Sequence, residues 1–146
     1  MKTNAQNLQV LYEDNHLIAI NKRAGDIVQG DKTGDIPLSE IVKSYLVEKY
    51  HKPGEAYLGV VHRLDRPTTG VVVFAKTSKA LPRLNAAFAT KEEVSKQYWA
   101  LVEKKVIPHQ GTLTHFLVRN TSQNKSYAYS EEKPQSQKAV LTYKVL

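Results

Sequence analysis

The run Gly70-Val71-Val72-Val73-Phe74-Ala75 constrains this chain more than any other feature. It carries no polar side chain and is β-branched at its centre, so it belongs to a strand. Its unbroken apolar character predicts burial on both faces. Earlier in the chain, Val10-Leu11-Tyr12 and Leu17-Ile18-Ala19-Ile20 are β-favouring runs parted by Glu13-Asp14-Asn15-His16, the signature of a hairpin. Residues 57–61, 96–102, 112–118 and 139–146 read as further strands.

Two segments are helical instead. Leu38, Ile41, Val42, Tyr45, Leu46 and Tyr50 recur at helical spacing, with polar residues between them. Pro37 opens that helix, Asp35 is the capping candidate, and His51-Lys52-Pro53-Gly54 stops it. A second helix carries Leu81, Leu84 and Phe88, capped by Thr77 or Ser78, with Pro82 in its first turn. Thr90-Lys91-Glu92-Glu93 has capping-box spacing, but no apolar helical run follows it. Residues 119–138 are rich in Ser, Gln, Asn and Lys and predict a long exposed loop or a mobile hairpin. The fold class is α+β, a largely antiparallel mixed sheet with two helices, in one domain over residues 1–146.

Composition narrows the function. There is no cysteine, so a thiol nucleophile and a cysteine-ligated metal are excluded. No phosphate-binding P-loop, dinucleotide fingerprint or nucleophile elbow is present, and the five histidines lack the i, i+4 pairing of a helical zinc site. No apolar run approaches the ~18 residues that span a bilayer, and the first residues have no secretory h-region. These features predict a cytoplasmic protein without a membrane partner. Lys and Arg number 21 against 14 Asp and Glu, a net charge of +7, which suits a polyanionic partner or simply solubility.

One segment concentrates chemistry. Val61-His62-Arg63-Leu64-Asp65-Arg66-Pro67-Thr68-Thr69-Gly70 sets two arginines and a histidine around a single carboxylate, between two predicted strands. Such a loop is either a surface ion pair of little consequence or a site. Flanking positive charge favours an ionised Asp65, which can serve as nucleophile or base. Arginines suit phosphate contacts and stack on bases. In Ser95-Lys96-Gln97-Tyr98-Trp99-Ala100-Leu101-Val102, strand alternation puts Lys96 and Tyr98 on one face and Trp99 on the other, with one of the two faces in the core. Arg63, Arg66, Lys76 and Lys96 form the basic group around the expected site.

The stretch His62 to Ala80, HRLDRPTTGVVVFAKTSKA, resembles the signature of the RluA-type pseudouridine synthases. Residues 10–25, VLYEDNHLIAINKRAG, resemble the family's opening hairpin, with Arg23 where proline is usual, and SKQYWALV resembles its K-x-Y-x-A-x-V strand. Thr69 stands where serine is commoner. The likeness runs over about residues 10–118 in the family's order. It implies isomerisation of uridine to pseudouridine in rRNA or tRNA, with no cofactor and no metal. By position, Asp65 is the catalytic aspartate and Tyr98 lies against the flipped uracil, in the same pocket as Asp65, with a part in proton transfer. Arg63 displaces the target base, and His62, Arg66 and Lys96 complete the RNA contacts.

The resemblance also implies that the catalytic domain continues beyond residue 146, with further strands and a basic partner for the aspartate. The chain is therefore expected to be the N-terminal part of such a domain. Two other functions compete with an active synthase. One is RNA binding without a complete catalytic site, and the other is a fragment that needs another chain to complete its sheet. An incomplete, exposed sheet edge predicts self-association.

Overall fold

The computed structural model describes residues 2–90 and 93–146, in two compact units that divide after Gln97. Of the capping-box candidate Thr90-Lys91-Glu92-Glu93, the middle two residues, Lys91 and Glu92, lie outside the described residues.

The first unit holds strands β1 (Val10–Glu13), β2 (Leu17–Lys22), β3 (Gly59–Val60) and β4 (Gly70–Ala75), with helices α1 (Leu38–Tyr50) and α2 (Ala80–Thr90). Its sheet runs β1-β2-β4-β3, antiparallel throughout. The expected hairpin is β1–β2, and its turn is built by Asp14, whose carboxylate accepts the His16 and Leu17 N–H groups at 2.7 and 2.8 Å. The core gathers Ile18 and Ile20 of β2, Val72 and Phe74 of β4, and Leu38, Val42 and Leu46 of α1. Helical spacing of apolar residues and strand alternation thus meet on one inner surface.

Two details of this unit differ from expectation. β4 is not buried on both faces along its whole length: Val72, Phe74 and Ala75 are buried but Val71 is 54% exposed. One face at its first turn of pleat is open, so the apolar run overstates the burial. Asp35 does not cap α1. Pro37 occupies the N-cap, no side chain caps the helix, and the Leu38 and Ser39 N–H groups donate to the carbonyls of Ile27 and Val28 at 2.7 and 3.2 Å. The loop backbone satisfies the orphan donors, and Asp35 is drawn instead to Arg66. The other ends follow the sequence. His51 closes α1 in the left-handed region (φ 48°), and Thr77 Oγ1 accepts the Ala80 N–H at 3.1 Å to start α2.

The second unit, from Tyr98, is a three-stranded antiparallel sheet. It contains β5 (Gln110–Asn120), β6 (Lys125–Tyr129) and β7 (Gln137–Lys144) in the order β6-β5-β7. The polar stretch after Arg119 is the hairpin of the two alternatives: the end of β5, a turn at Asn124 (φ 48°), and β6. The last strand begins at Gln137 and ends at Lys144, two residues earlier at each end than expected. Gly111 lies under the Tyr143 ring, where a Cβ would sit 3.1 Å from the hydroxyl and the ring would have to shift slightly.

The strand expected over residues 96–102 is absent. None of these residues makes a backbone hydrogen bond among those described, and Tyr98, Trp99 and Leu101 are 61%, 84% and 103% exposed. Neither alternating face is core. β-favouring side chains do not make a strand without a partner edge.

Candidate active site

The site begins with Lys22, the last residue of β2. Period-2 alternation puts it on the same inward face as Ile18 and Ile20, and its side chain is buried, 1% exposed. Its ammonium donates to three carbonyl oxygens, those of Arg23 (3.1 Å), Arg66 (3.1 Å) and Thr68 (2.7 Å). Burial pushes its pKa down, and the nearby Asp26 and Asp65 charges oppose that shift. The Gly25 N–H adds a bond to the Arg66 carbonyl at 2.9 Å, made from a backbone angle (φ 94°) that suits glycine. The Thr68 N–H returns to the Asp65 carbonyl at 3.0 Å and closes a turn. The loop after Asp65 is thus held from beneath by a buried cation and from the side by the 23–26 backbone.

Asp65 is exposed on that turn, and its carboxylate has neither a hydrogen bond nor an ion pair among the described residues. Arg63 is likewise exposed and unpaired. Arg66 is not the partner of Asp65. It donates to Asp35 at 2.8 Å, Asp31 at 3.2 Å, Thr33 Oγ1 at 2.8 Å and the Gly25 carbonyl at 3.4 Å, so its guanidinium pins the 25–35 loop to the signature turn. These bonds hold Asp31 and Asp35 below the usual carboxylate range, Asp31 chiefly through Thr33 and Asp35 chiefly through Arg66.

His62 is half-buried. Its Nε2 accepts the Val73 N–H at 3.0 Å, just where β3 stops pairing with β4, and its ring stacks on Phe88 at 4.6 Å. Burial, then the charge of Lys96, lowers its pKa, and an Nε2 that accepts an N–H leaves the ring's proton on Nδ1. The ring extends the sheet by one bond and seats α2. Lys96 is exposed, and Tyr98 is an exposed residue at the start of the second unit. Lys76 leaves the basic group. Its side chain is 10% exposed, and its ammonium is bonded to Glu13 at 2.7 Å and to the Asp14 carbonyl at 2.6 Å.

Within the first unit, then, the fold brings Asp65, Arg63, Arg66 and His62 onto one braced loop and leaves Asp65 and Arg63 free. Such a carboxylate can attack an electrophile, take a proton or face a developing positive charge. A groove of about 560 Å³ lined by Gln29, Pro37, Lys43 and Leu58 contains none of these residues, so the site is marked by its chemistry and not by a cavity. Among the described residues, no cluster of three His, Asp or Glu could hold a metal, and no helix is long and apolar enough to cross a membrane. Sequence reasoning missed the Lys22 cage and the Asp31–Asp35 clamp. The parity of Lys22 with Ile18 and Ile20 was the available signal for the first. Nothing in the loop composition marked the second.

A family model described as RNA pseudouridylate synthase matches residues 16–146. An RNA pseudouridine synthase of Mycoplasma capricolum is 38% identical over 101 residues, covering 65% of this chain and 32% of its own length. The ribosomal large subunit pseudouridine synthase C of Vibrio vulnificus is 37% identical over 93 residues, covering 64% and 27%. The solved human RNA pseudouridylate synthase domain containing 4 superposes with a TM-score of 0.79 at 26% identity, covering 97% of this chain and 56% of that one. A second human structure, RNA pseudouridylate synthase domain containing 1, shares the fold at a TM-score of 0.69 and 18% identity. The chain spans about a third of the length of the curated relatives it matches. With the match running from the opening hairpin through the braced Asp65 loop to β7, the chain belongs to the RNA pseudouridylate synthase family.

Proposed function

We propose that this chain supplies the catalytic carboxylate of an enzyme that isomerises uridine to pseudouridine in structured RNA. Both units are taken as parts of one catalytic domain working in the cytoplasm. The observation that carries the proposal is the free Asp65 carboxylate on a turn secured by Lys22 and Arg66. The reaction breaks the bond between N1 of uracil and C1′ of ribose, turns the base, and joins C5 to C1′. The proton lost from C5 balances the one gained at N1, so atoms and electrons close without oxidant, metal or cofactor. An ionised carboxylate assists by attack at sugar or base, or by stabilising the cationic sugar.

In this reading Arg63 fills the space left by the extruded base, whose unstacking costs a few kcal/mol. Tyr98 lies against the flipped uracil and takes part in proton transfer. His62, Arg66 and Lys96 complete the RNA-facing set, with His62 and Arg66 acting through the elements they hold. Relatives named for the ribosomal large subunit favour rRNA over tRNA as the substrate. Asp65→Asn keeps the size and removes the charge. In pseudouridine assays on RNA, made in the full-length parent enzyme, it is expected to cost at least about a hundredfold in rate, within the range of general acid–base effects. Activity within tenfold of wild type would sink the assignment.

The match to only a third of the relatives' length favours a second reading, RNA binding without turnover by these 146 residues alone. RNA affinity with no pseudouridine formed, from a chain whose full-length parent is active, would establish it. We also assign self-association to the second sheet. Among the described residues β6 and β7 each pair with β5 alone, and Leu113, Val140 and Leu141 are more than 40% exposed. Light scattering is expected to show a mass that rises with concentration, and a constant monomer mass would refute it.

A further inference from the structure

The sheet of the second unit sorts its side chains into two unlike faces. Directly opposed residues of an antiparallel pair share a face. One face carries Leu113 opposite Leu141, His115 opposite Ala139, Gly111 opposite Tyr143, Leu117 opposite Gln137 and Ala128, and Arg119 opposite Ser126, and is of mixed character. The other carries Phe116 opposite both Tyr129 and Lys138, Val118 opposite Tyr127, and Asn120 opposite Lys125, and continues through Thr114 opposite Val140 and Thr112 opposite Thr142. Tyr127 and Tyr129 are 38% and 40% exposed. The Lys125 ammonium lies 5.2 Å from the Tyr127 ring centre, and that of Lys133 lies 5.9 Å from the Tyr129 ring centre. Lys125, Lys133 and Lys138 have no carboxylate partner among the described residues, although Glu131 and Glu132 lie in the same connection.

We propose that this face, with Phe116, Tyr127 and Tyr129 set among Lys125, Lys133 and Lys138, is a stacking platform for single-stranded RNA outside the Asp65 loop. The proposal rests on the RNA reading above and adds a second place of contact. Aromatic rings mounted on a sheet lose little freedom when a base settles on them, and every base offers a π-face. Tyr127 and Tyr129 are two residues apart on β6, about 7 Å along the strand. That is roughly twice the 3.4 Å rise between stacked bases. Each ring therefore takes a splayed base, as in single-stranded loops, and not a continuous stack. The lysines now over the rings hold them in an exposed cation–π contact, which is weaker than base stacking. When a base takes the ring, the long side chain swings to a backbone phosphate. Alternating π-faces and unpaired ammoniums fit a polyanion with flat bases, whereas the opposite face carries no lysine and a single tyrosine, Tyr143.

The test is fluorescence anisotropy of the 146-residue chain with a labelled oligouridylate of about 12 nucleotides at low salt. The pair Tyr127→Leu with Tyr129→Leu keeps apolar bulk and removes both rings. It is expected to bind at least about tenfold more weakly, while Tyr127→Phe with Tyr129→Phe stays within about twofold of wild type. Circular dichroism checks the fold of each variant. Photocrosslinking with 5-iodouridine needs no substitution and is expected to mark Tyr127 or Tyr129. A folded leucine pair that binds like wild type, or crosslinks confined to other residues, overturns the platform and leaves the Asp65 reading standing. No binding by the wild-type chain at low salt overturns the RNA partner itself. Equal binding by an acidic peptide, displaced by neither leucine substitution, would point to a protein-facing surface and likewise overturn the platform.

Discussion

Lys22 Nζ is enclosed by three carbonyl oxygens and reaches no carboxylate, so its worth lies in hydrogen bonds to a loop rather than in an ion pair. Lys22→Met keeps the length and the apolar stem. It takes the ammonium from three carbonyls in a place where the lysine is only 1% exposed; those of Arg23 and Arg66 keep the Asp26 and Gly25 N–H groups as donors, and that of Thr68 keeps none among the described residues. A buried polar group stranded in this way costs about 1–3 kcal/mol, so we expect a loss of about that size, chiefly from the Thr68 carbonyl. Urea unfolding measures it, and an unchanged midpoint would show that the ammonium does not hold the loop. Arg66 is the complementary case on the outside of the same turn. Its two carboxylate contacts are about one-third exposed, so they order the 31–35 loop more than they stabilise the unit. Arg66→Gln is expected to speed amide exchange at residues 31–35, with little change in the urea midpoint.

At the scale of elements, Glu13 joins three of them. It ends β1, and its carboxylate accepts from Tyr45 (3.1 Å), Lys49 (2.8 Å) and Tyr50 (2.7 Å) of α1 and from Lys76 (2.7 Å) just after β4. Burial alone would raise its pKa, but the four donors outweigh burial and hold it at about 2, against the ordinary 4.5. The folded state therefore binds this proton less readily than the unfolded chain. The stabilisation is complete above about pH 4.5 and is lost as pH falls towards 2. It is on the order of 3 kcal/mol. Melting temperature against pH should show an acid limb in that window, which Glu13→Gln flattens while lowering stability at neutral pH. A wild-type profile without that limb would contradict the latch.

For the whole molecule the question is where a net charge of +7 is available to a partner. Lys76 and Arg66 are engaged with carboxylates, whereas Arg63, Lys96, Lys125, Lys133 and Lys138 are not. Single strands release counterions with a slope of about −0.7 per phosphate, so contacts from these five cations together give a slope of about −3.5 for log affinity against log salt. Arg63→Gln and Lys96→Gln should each lower the slope by about 0.7. Titrations at several salt concentrations measure it, and a flat response would remove RNA as the partner.

Elements whose pattern is local are legible in the chain alone. The β1–β2 hairpin, both helices with the stop of α1 and the cap of α2, the apolar strand β4 and the loop around Asp65 are all written in spacing and turn chemistry, because such patterns act through near neighbours in the chain. Tertiary structure decided the rest. Residues 96–102 have strand-like side chains and form no strand, since a strand needs an edge that local sequence does not name. Asp35 could have capped α1, but the Ile27 and Val28 carbonyls reached the helix first and Arg66 took the carboxylate. Lys76 and Arg66 read as free cations and are paired with acids 63 and 31 residues away. Lys22 looked like a strand-end lysine until three carbonyls converged on it. Charge pairing and edge pairing act through space between distant positions, so only the folded chain discloses which partners meet.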